Sequence, residues 1–159
     1  MATLYLETTV PSYLTARASN DAVVAGRQAV TRLWWDNRRS EFELRVSQIV
    51  LDEASAGDSD AARRRLAALA GVQVLPATLE SDELATDLAQ LLSLPPRAVL
   101  DAAHLAVCII HRVDYLLTWN CRHIANAVHR RKIERFCFDR GVPAPVICTP
   151  DELQTDDES

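Results

Sequence analysis

At 159 residues, 48% of them apolar, the chain is long enough to bury one substantial core and too short for two ordinary domains. Its net charge of −5 argues against a polyanion-binding protein only until the last nine residues are set aside: Asp151, Glu152, Asp156, Asp157 and Glu158 lie there, and the remainder carries 17 basic and 17 acidic residues. Residues 1–150 therefore read as one folded domain and residues 151–159 as an acidic, flexible tail.

Four cysteines, Cys108, Cys121, Cys137 and Cys148, form no C-x-x-C pair, so neither a zinc ribbon nor a disulfide framework is expected, and reduced thiols in a cytoplasm fit best. The opening Met1-Ala2-Thr3-Leu4-Tyr5-Leu6-Glu7 has no basic lead and an early acid, unlike a signal peptide. No apolar stretch approaches the length of a membrane span.

The first β-prone run, Thr3 to Leu6, ends directly on Glu7 and Thr8. In open parallel sheets ligands gather beyond the carboxyl ends of strands, which makes this pair a candidate site. The alternative is that Glu7, Thr8 or Thr9 begins a helix with Pro11 in its first turn. A helix is expected over Asp21 to Arg39, where Trp34 and Trp35 among Arg32, Arg38 and Arg39 form either a contact surface or part of the core. After a second strand, Glu43 to Val46, Ser47 is placed to cap a helix over Gln48 to Ala56. Helical spacing sets Glu53 on a stripe with Ile49 and Ala56, turned inward, while Asp52 lies about 100° away with Gln48 and Ser55. The alternative is a surface helix bearing two ordinary acids.

Further helices are expected over Ser59 to Leu69 and Ser81 to Leu92, separated by a strand at Val72 to Leu75. The segment Val99 to His111 is apolar nearly all round and predicts a buried helix. Asp101 inside it would be excluded unless it caps the helix or holds a cation; His104, one turn later, either orients that carboxylate or sits satisfied in the core. Tyr115 to Thr118 forms the fourth strand, followed by Asn120 at its carboxyl end or as the cap of the next helix. That helix is expected over about His123 to Arg140, before a last strand at Pro145 to Cys148. Between positions 112 and 140 seven basic residues outnumber three acidic ones, giving either a solvated face or a surface for polyphosphate. His123 and His129, among these arginines, are expected at the surface or at a phosphate.

Strands alternating with helices predict an α/β fold with a parallel sheet covered on both faces. With only four glycines, Gly26, Gly57, Gly71 and Gly141, no dinucleotide or Walker loop can be drawn, and a G-x-S-x-G elbow is absent. What stands at the strand ends is acid, amide and hydroxyl, the hard oxygen donors that suit magnesium or manganese.

Four segments together, Leu6-Glu7-Thr8-Thr9-Val10, Ser47 to Glu53, Asp101-Ala102-Ala103-His104-Leu105-Ala106 and Leu116-Leu117-Thr118-Trp119-Asn120, resemble the dispersed motifs of the PIN-domain family, specifically the VapC-like toxin ribonucleases of toxin–antitoxin pairs. The resemblance runs from Thr3 to about Pro150 and departs from the family's pattern at Glu7 and Asn120, where aspartate is common, and at Thr9, where asparagine is usual. It implies a three-layer α/β/α fold around a mostly parallel sheet of about five strands. It also implies an Mg²⁺- or Mn²⁺-dependent endoribonuclease in which Glu7, Glu53 and Asp101 hold the metal while Asn120 and Thr8 position water or phosphate. An RNA substrate, a small antitoxin and a homodimer are implied with it. Two rival functions stay open: a PIN-like module that binds RNA or a partner protein without turnover, and a phosphatase acting on small esters, which Glu7 fits poorly as a nucleophile.

Overall fold

The computed structural model describes residues 1–154. In chain order the elements are β1 (Ala2–Leu6), α1 (Thr9–Thr15), α2 (Ala22–Arg38), β2 (Phe42–Ser47), α3 (Gln48–Ala54), α4 (Ser59–Ala68), β3 (Gln73–Leu75), α5 (Leu79–Leu91), α6 (Val99–Ile110), β4 (Tyr115–Leu117), α7 (Ala127–Asp139) and β5 (Val146–Cys148). The strands form one five-stranded, all-parallel sheet in the order β3-β2-β1-β4-β5. The chain thus works outward from β1 to one edge, then returns to the other side of β1. Parallel crossovers are right-handed, so this reversal sends α5, α6 and α7 to the face opposite α1 to α4, giving three layers. The same reversal opens a crevice between the carboxyl ends of β1 and β4, the place where such sheets bind ligands.

Leu4, Leu6, Leu116 and Leu117 of the two central strands are fully buried, as is Trp34 of α2. Trp34 is therefore core, while Trp35 is half-buried beneath the Arg39 guanidinium. The expected all-round burial of α6 holds for Ala102 and for His104 through Ile109.

Several limits differ from the sequence expectation. The strand-end site and a helix beginning there, alternatives in the sequence, both occur: Glu7 follows directly on β1 and Thr8 opens α1 with Pro11 in its first turn, where a missing N–H costs nothing. α7 begins at Ala127 rather than near His123, because Asn126 accepts from the Val128 and His129 amides while residues 120–125 close a separate turn. Ser47 precedes α3 but makes no side-chain cap; its hydroxyl is committed elsewhere.

Asp151 to Gln154 are held: Glu152 pairs with Arg130, Leu153 packs on the core and Arg38 donates to the Leu153 carbonyl. The rest of the acidic segment, residues 155–159, lies outside the described residues. Among the described residues no helix is long and apolar enough to cross a membrane. All four cysteines are free thiols, with Cys121 alone exposed.

Candidate active site

Leu6 is paired with Leu117, so Glu7 and Thr118 emerge side by side from the crevice. Their side chains are tied. The buried Glu7 carboxylate accepts from the Thr118 hydroxyl (2.6 Å), the Thr9 hydroxyl (2.6 Å) and the Thr9 amide (3.0 Å). Each hydroxyl in turn accepts a backbone N–H from the segment after β4: Asn120 N–H reaches Thr118 Oγ1 at 2.9 Å and Trp119 N–H reaches Thr9 Oγ1 at 2.8 Å. Two threonines thus carry hydrogen bonds from one strand end to the carboxylate of the other.

Glu53, on α3, is half-buried and projects toward the same edge, while Asp52 is exposed and bonded to Gln48. Its Oε1 accepts from Thr8 Oγ1 at 2.7 Å and pairs with His104 Nε2 at 2.6 Å. Burial pushes the Glu53 carboxyl up, but the His104 hydrogen bond and charge, with Thr8, outweigh it and hold the group below its ordinary value. His104 is therefore bonded to Glu53, not to Asp101 one turn before it. Behind His104, its Nδ1 lies 2.7 Å from the Tyr5 hydroxyl, itself 2.7 Å from Ser47 Oγ, and all three side chains are buried. Burial also raises the Tyr5 phenol, keeping it protonated.

Asp101 stands in the first turn of α6 without capping it; the residue at the cap is Ala98. Its carboxyl is raised by burial, a trend opposed by the neighbouring Asn120 amide and by His123 and His104, and reinforced by the charge of Glu53. Asn120 Oδ1 accepts from the His123 amide at 3.0 Å. Among the described residues neither Asp101 nor Glu53 is ion-paired with a lysine or arginine.

No protein-family model matches the sequence, and no curated protein matches it either. Solved structures do match. A toxin–antitoxin complex from Klebsiella pneumoniae superposes with a TM-score of 0.58 at 17% identity, over 94% of this chain and 98% of that one. The VapC20 toxin of Mycobacterium tuberculosis, which cleaves the sarcin–ricin loop, gives 0.56 at 19% identity over 72% of this chain and 87% of its own. VapBC2 of Rickettsia felis, bound to a DNA fragment from its promoter, gives 0.52 at 14% identity over 92% and 98%. The fold is PIN-like.

On this PIN-like fold, the structure sets all five residues singled out in the sequence around one crevice, in unequal states. Asp101 and Glu53 present carboxylates within each other's field, with Asn120 against Asp101. Glu7 is consumed by its threonines, and the Thr8 proton by Glu53. Among the described residues no three acids, histidines or cysteines form a group able to hold an ion. The donor set nonetheless fits a hard cation in part: among the described residues no lysine or arginine is ion-paired with Asp101, and no hydrogen bond reaches Glu53 Oε2.

Tyr5, Ser47, Thr118 and the relaying role of Thr9 were not foreseen. One signal was available, since a tyrosine in an apolar strand and a histidine in an apolar helix each need a buried partner, and here they satisfy each other. Of the basic stretch, Arg130, Arg135 and Arg140 are ion-paired, whereas Arg112, Arg122, Arg131 and Lys132 have no ion-pair partner among the described residues. His123 is half-buried beside the site, and the His129 ring is bonded to the His123 carbonyl at 2.6 Å.

Proposed function

We propose that this protein is a metal-dependent endoribonuclease, the toxin of a toxin–antitoxin pair, with residues 1–150 as its nuclease domain. The observation that carries the reading is the pair of half-buried carboxylates, Asp101 and Glu53, in the crevice between β1 and β4 without a lysine or arginine to neutralise them. Two carboxylates in one another's field favour a bound cation over mutual repulsion. The likeness in fold to VapC20, a toxin that cleaves the sarcin–ricin loop, and to toxin–antitoxin complexes supports RNA as the substrate and an antitoxin as a partner.

In this reading Asp101, Glu53 through Oε2, and Glu7 would hold Mg²⁺ or Mn²⁺. When bound, the metal supplies a water of lowered pKa and offsets the charge that builds up on the phosphate. Asn120, beside Asp101, offers its amide to the reacting phosphate. Thr8, its proton given to Glu53, acts as an orienting group and presents only its oxygen lone pairs. The unpaired Arg122, Arg131 and Lys132 attract the RNA backbone, so binding should weaken steeply with salt.

A second reading is favoured by one specific observation: the Glu7 carboxylate already accepts three hydrogen bonds from the protein. A PIN-like module that binds RNA without cutting it would keep such a site closed. RNA cleavage by the purified protein in Mn²⁺, abolished by EDTA and by Asp101→Asn, supports the nuclease. Equal RNA affinity with and without Mn²⁺ and no turnover supports the binding module.

A further inference from the structure

Resting on the nuclease reading above, we propose that His104 is a positioning residue: backed by Tyr5 and Ser47, it turns Glu53 so that Oε1 faces the protein and Oε2 alone is left to bind a divalent cation.

The geometry is specific. Two donors from different elements, Thr8 at the start of α1 and His104 on α6, meet at the same oxygen, Glu53 Oε1, at 2.7 and 2.6 Å. A carboxylate only accepts, so His104 Nε2 carries a proton whichever state the ring is in. Two contacts from different directions at one oxygen stop rotation about the last side-chain bond. A glutamate side chain that would otherwise sample several rotamers thus keeps one orientation. Oε2 receives no hydrogen bond among the described residues.

The support behind the imidazole is equally defined. Its Nδ1 is bonded to the Tyr5 hydroxyl and that hydroxyl to Ser47 Oγ, both at 2.7 Å, with His104 1%, Tyr5 0% and Ser47 1% exposed. Tyr5 can donate to a neutral ring or accept from a protonated one, with Ser47 taking the complementary part, so the ring is held in both states. The series Ser47, Tyr5, His104, Glu53 crosses from the end of β2 through β1 and α6 to α3. His104 lies three residues from Asp101 on α6, so its bond to Glu53 also fixes the position of one proposed ligand relative to the other. A buried polar series of this kind is costly unless every member is paired, and an apolar set of side chains would fill the same space. Its presence directly behind a half-exposed carboxylate is accounted for by orientation of that carboxylate.

The test is Mn²⁺ binding followed by electron paramagnetic resonance on wild type, His104→Leu, His104→Gln and Tyr5→Phe, each checked for folding by circular dichroism. Loss of an outer partner of a metal ligand typically weakens affinity by roughly 10- to 100-fold, and that is the loss expected for His104→Leu. His104→Gln keeps an amide donor near the place of Nε2 and is expected to recover most of it, and Tyr5→Phe to fall between. A folded His104→Leu that binds Mn²⁺ as tightly as wild type overturns the proposal, as does His104→Gln binding no better than His104→Leu. Should His104→Leu fail to fold, Tyr5→Phe decides, because its ring still fills the core: unchanged affinity overturns the positioning role. If wild type itself takes up no Mn²⁺, the nuclease reading falls and the inference with it; if only the variants match wild type, the nuclease reading stands and the inference alone falls.

Discussion

Replacing Thr118 by valine removes one hydroxyl and almost nothing else. The side chain is fully buried, and valine has nearly the same shape, so packing is preserved. Two hydrogen bonds go with the oxygen: the 2.6 Å donation to the Glu7 carboxylate and the 2.9 Å acceptance from Asn120 N–H. A hydrogen bond to a charged acceptor is worth about 1.5–3 kcal/mol, and stranding a partly buried amide adds about 1 kcal/mol, so the expected loss is roughly 3 kcal/mol. Against a typical domain stability of about 5–15 kcal/mol this is a large fraction. It corresponds to a fall in Tm of roughly 6–12 °C for a chain of this size. Urea denaturation at pH 7, followed by circular dichroism, would show a lower midpoint with an unchanged slope. Thr118→Ser retains the hydroxyl and should recover most of the loss. The reasoning fails if Thr118→Val lies within about 0.5 kcal/mol of wild type, the range of an ordinary surface change. It fails equally if serine is no better than valine. A double-mutant cycle with Glu7→Gln should show strong coupling, since both changes act on one interaction.

Asp101→Asn should abolish RNA cleavage in Mn²⁺, by roughly 100-fold or more, while leaving the metal-free protein as stable as wild type or more so. Its carboxyl is raised by burial in the folded state, so ionisation opposes folding and the penalty grows as pH rises past the ordinary value of 3.8; a thermal scan at pH 7 without metal checks this. Glu53 has the opposite sign: its carboxyl is held below its ordinary 4.5, so the stability it contributes is present above that pH and lost as pH falls below it. His104→Leu should therefore flatten the acid limb of a stability-against-pH curve, and an unchanged limb would mean the pairing contributes nothing. Asn120→Asp replaces the amide beside Asp101 with a fourth acid, which should lower metal-free stability and tighten Mn²⁺ binding; calorimetric titration showing weaker Mn²⁺ binding would contradict the proposed ligand set.

Much of this architecture could be read from pattern alone because it rests on burial. The apolar circumference of α6 and the alternation of strands and helices are statements about which residues avoid water, and the sheet and α6 follow them. Asp101 stood out for the same reason, as a charge placed where none belongs. Hydrogen-bond partners were harder, since they depend on which strand ends adjoin. Ser47 reads as a cap in isolation, yet its hydroxyl faces Tyr5, 42 residues away, because β1 and β2 are neighbours. His104 reads either as a satisfied core residue or as a partner of Asp101, because helical spacing relates residues within one element; its bond to Glu53 on α3 is a relation no periodicity contains. Glu7 looked like an open ligand, and only the pairing of Leu6 with Leu117 sets Thr118 where it fills that carboxylate.

The tie between Glu7 and Thr118 spans 111 residues of sequence. Closing so long a loop is slow compared with forming helices or neighbouring turns, so this joint assembles late in folding. During synthesis β1, α3 and α6 all leave the ribosome before the strand that completes the crevice. A nascent or truncated chain therefore carries Glu53 and Asp101 but not the clamp between β1 and β4. The joined strand ends are complete only once the chain has been made through Asn120, after every acid of the crevice has already emerged.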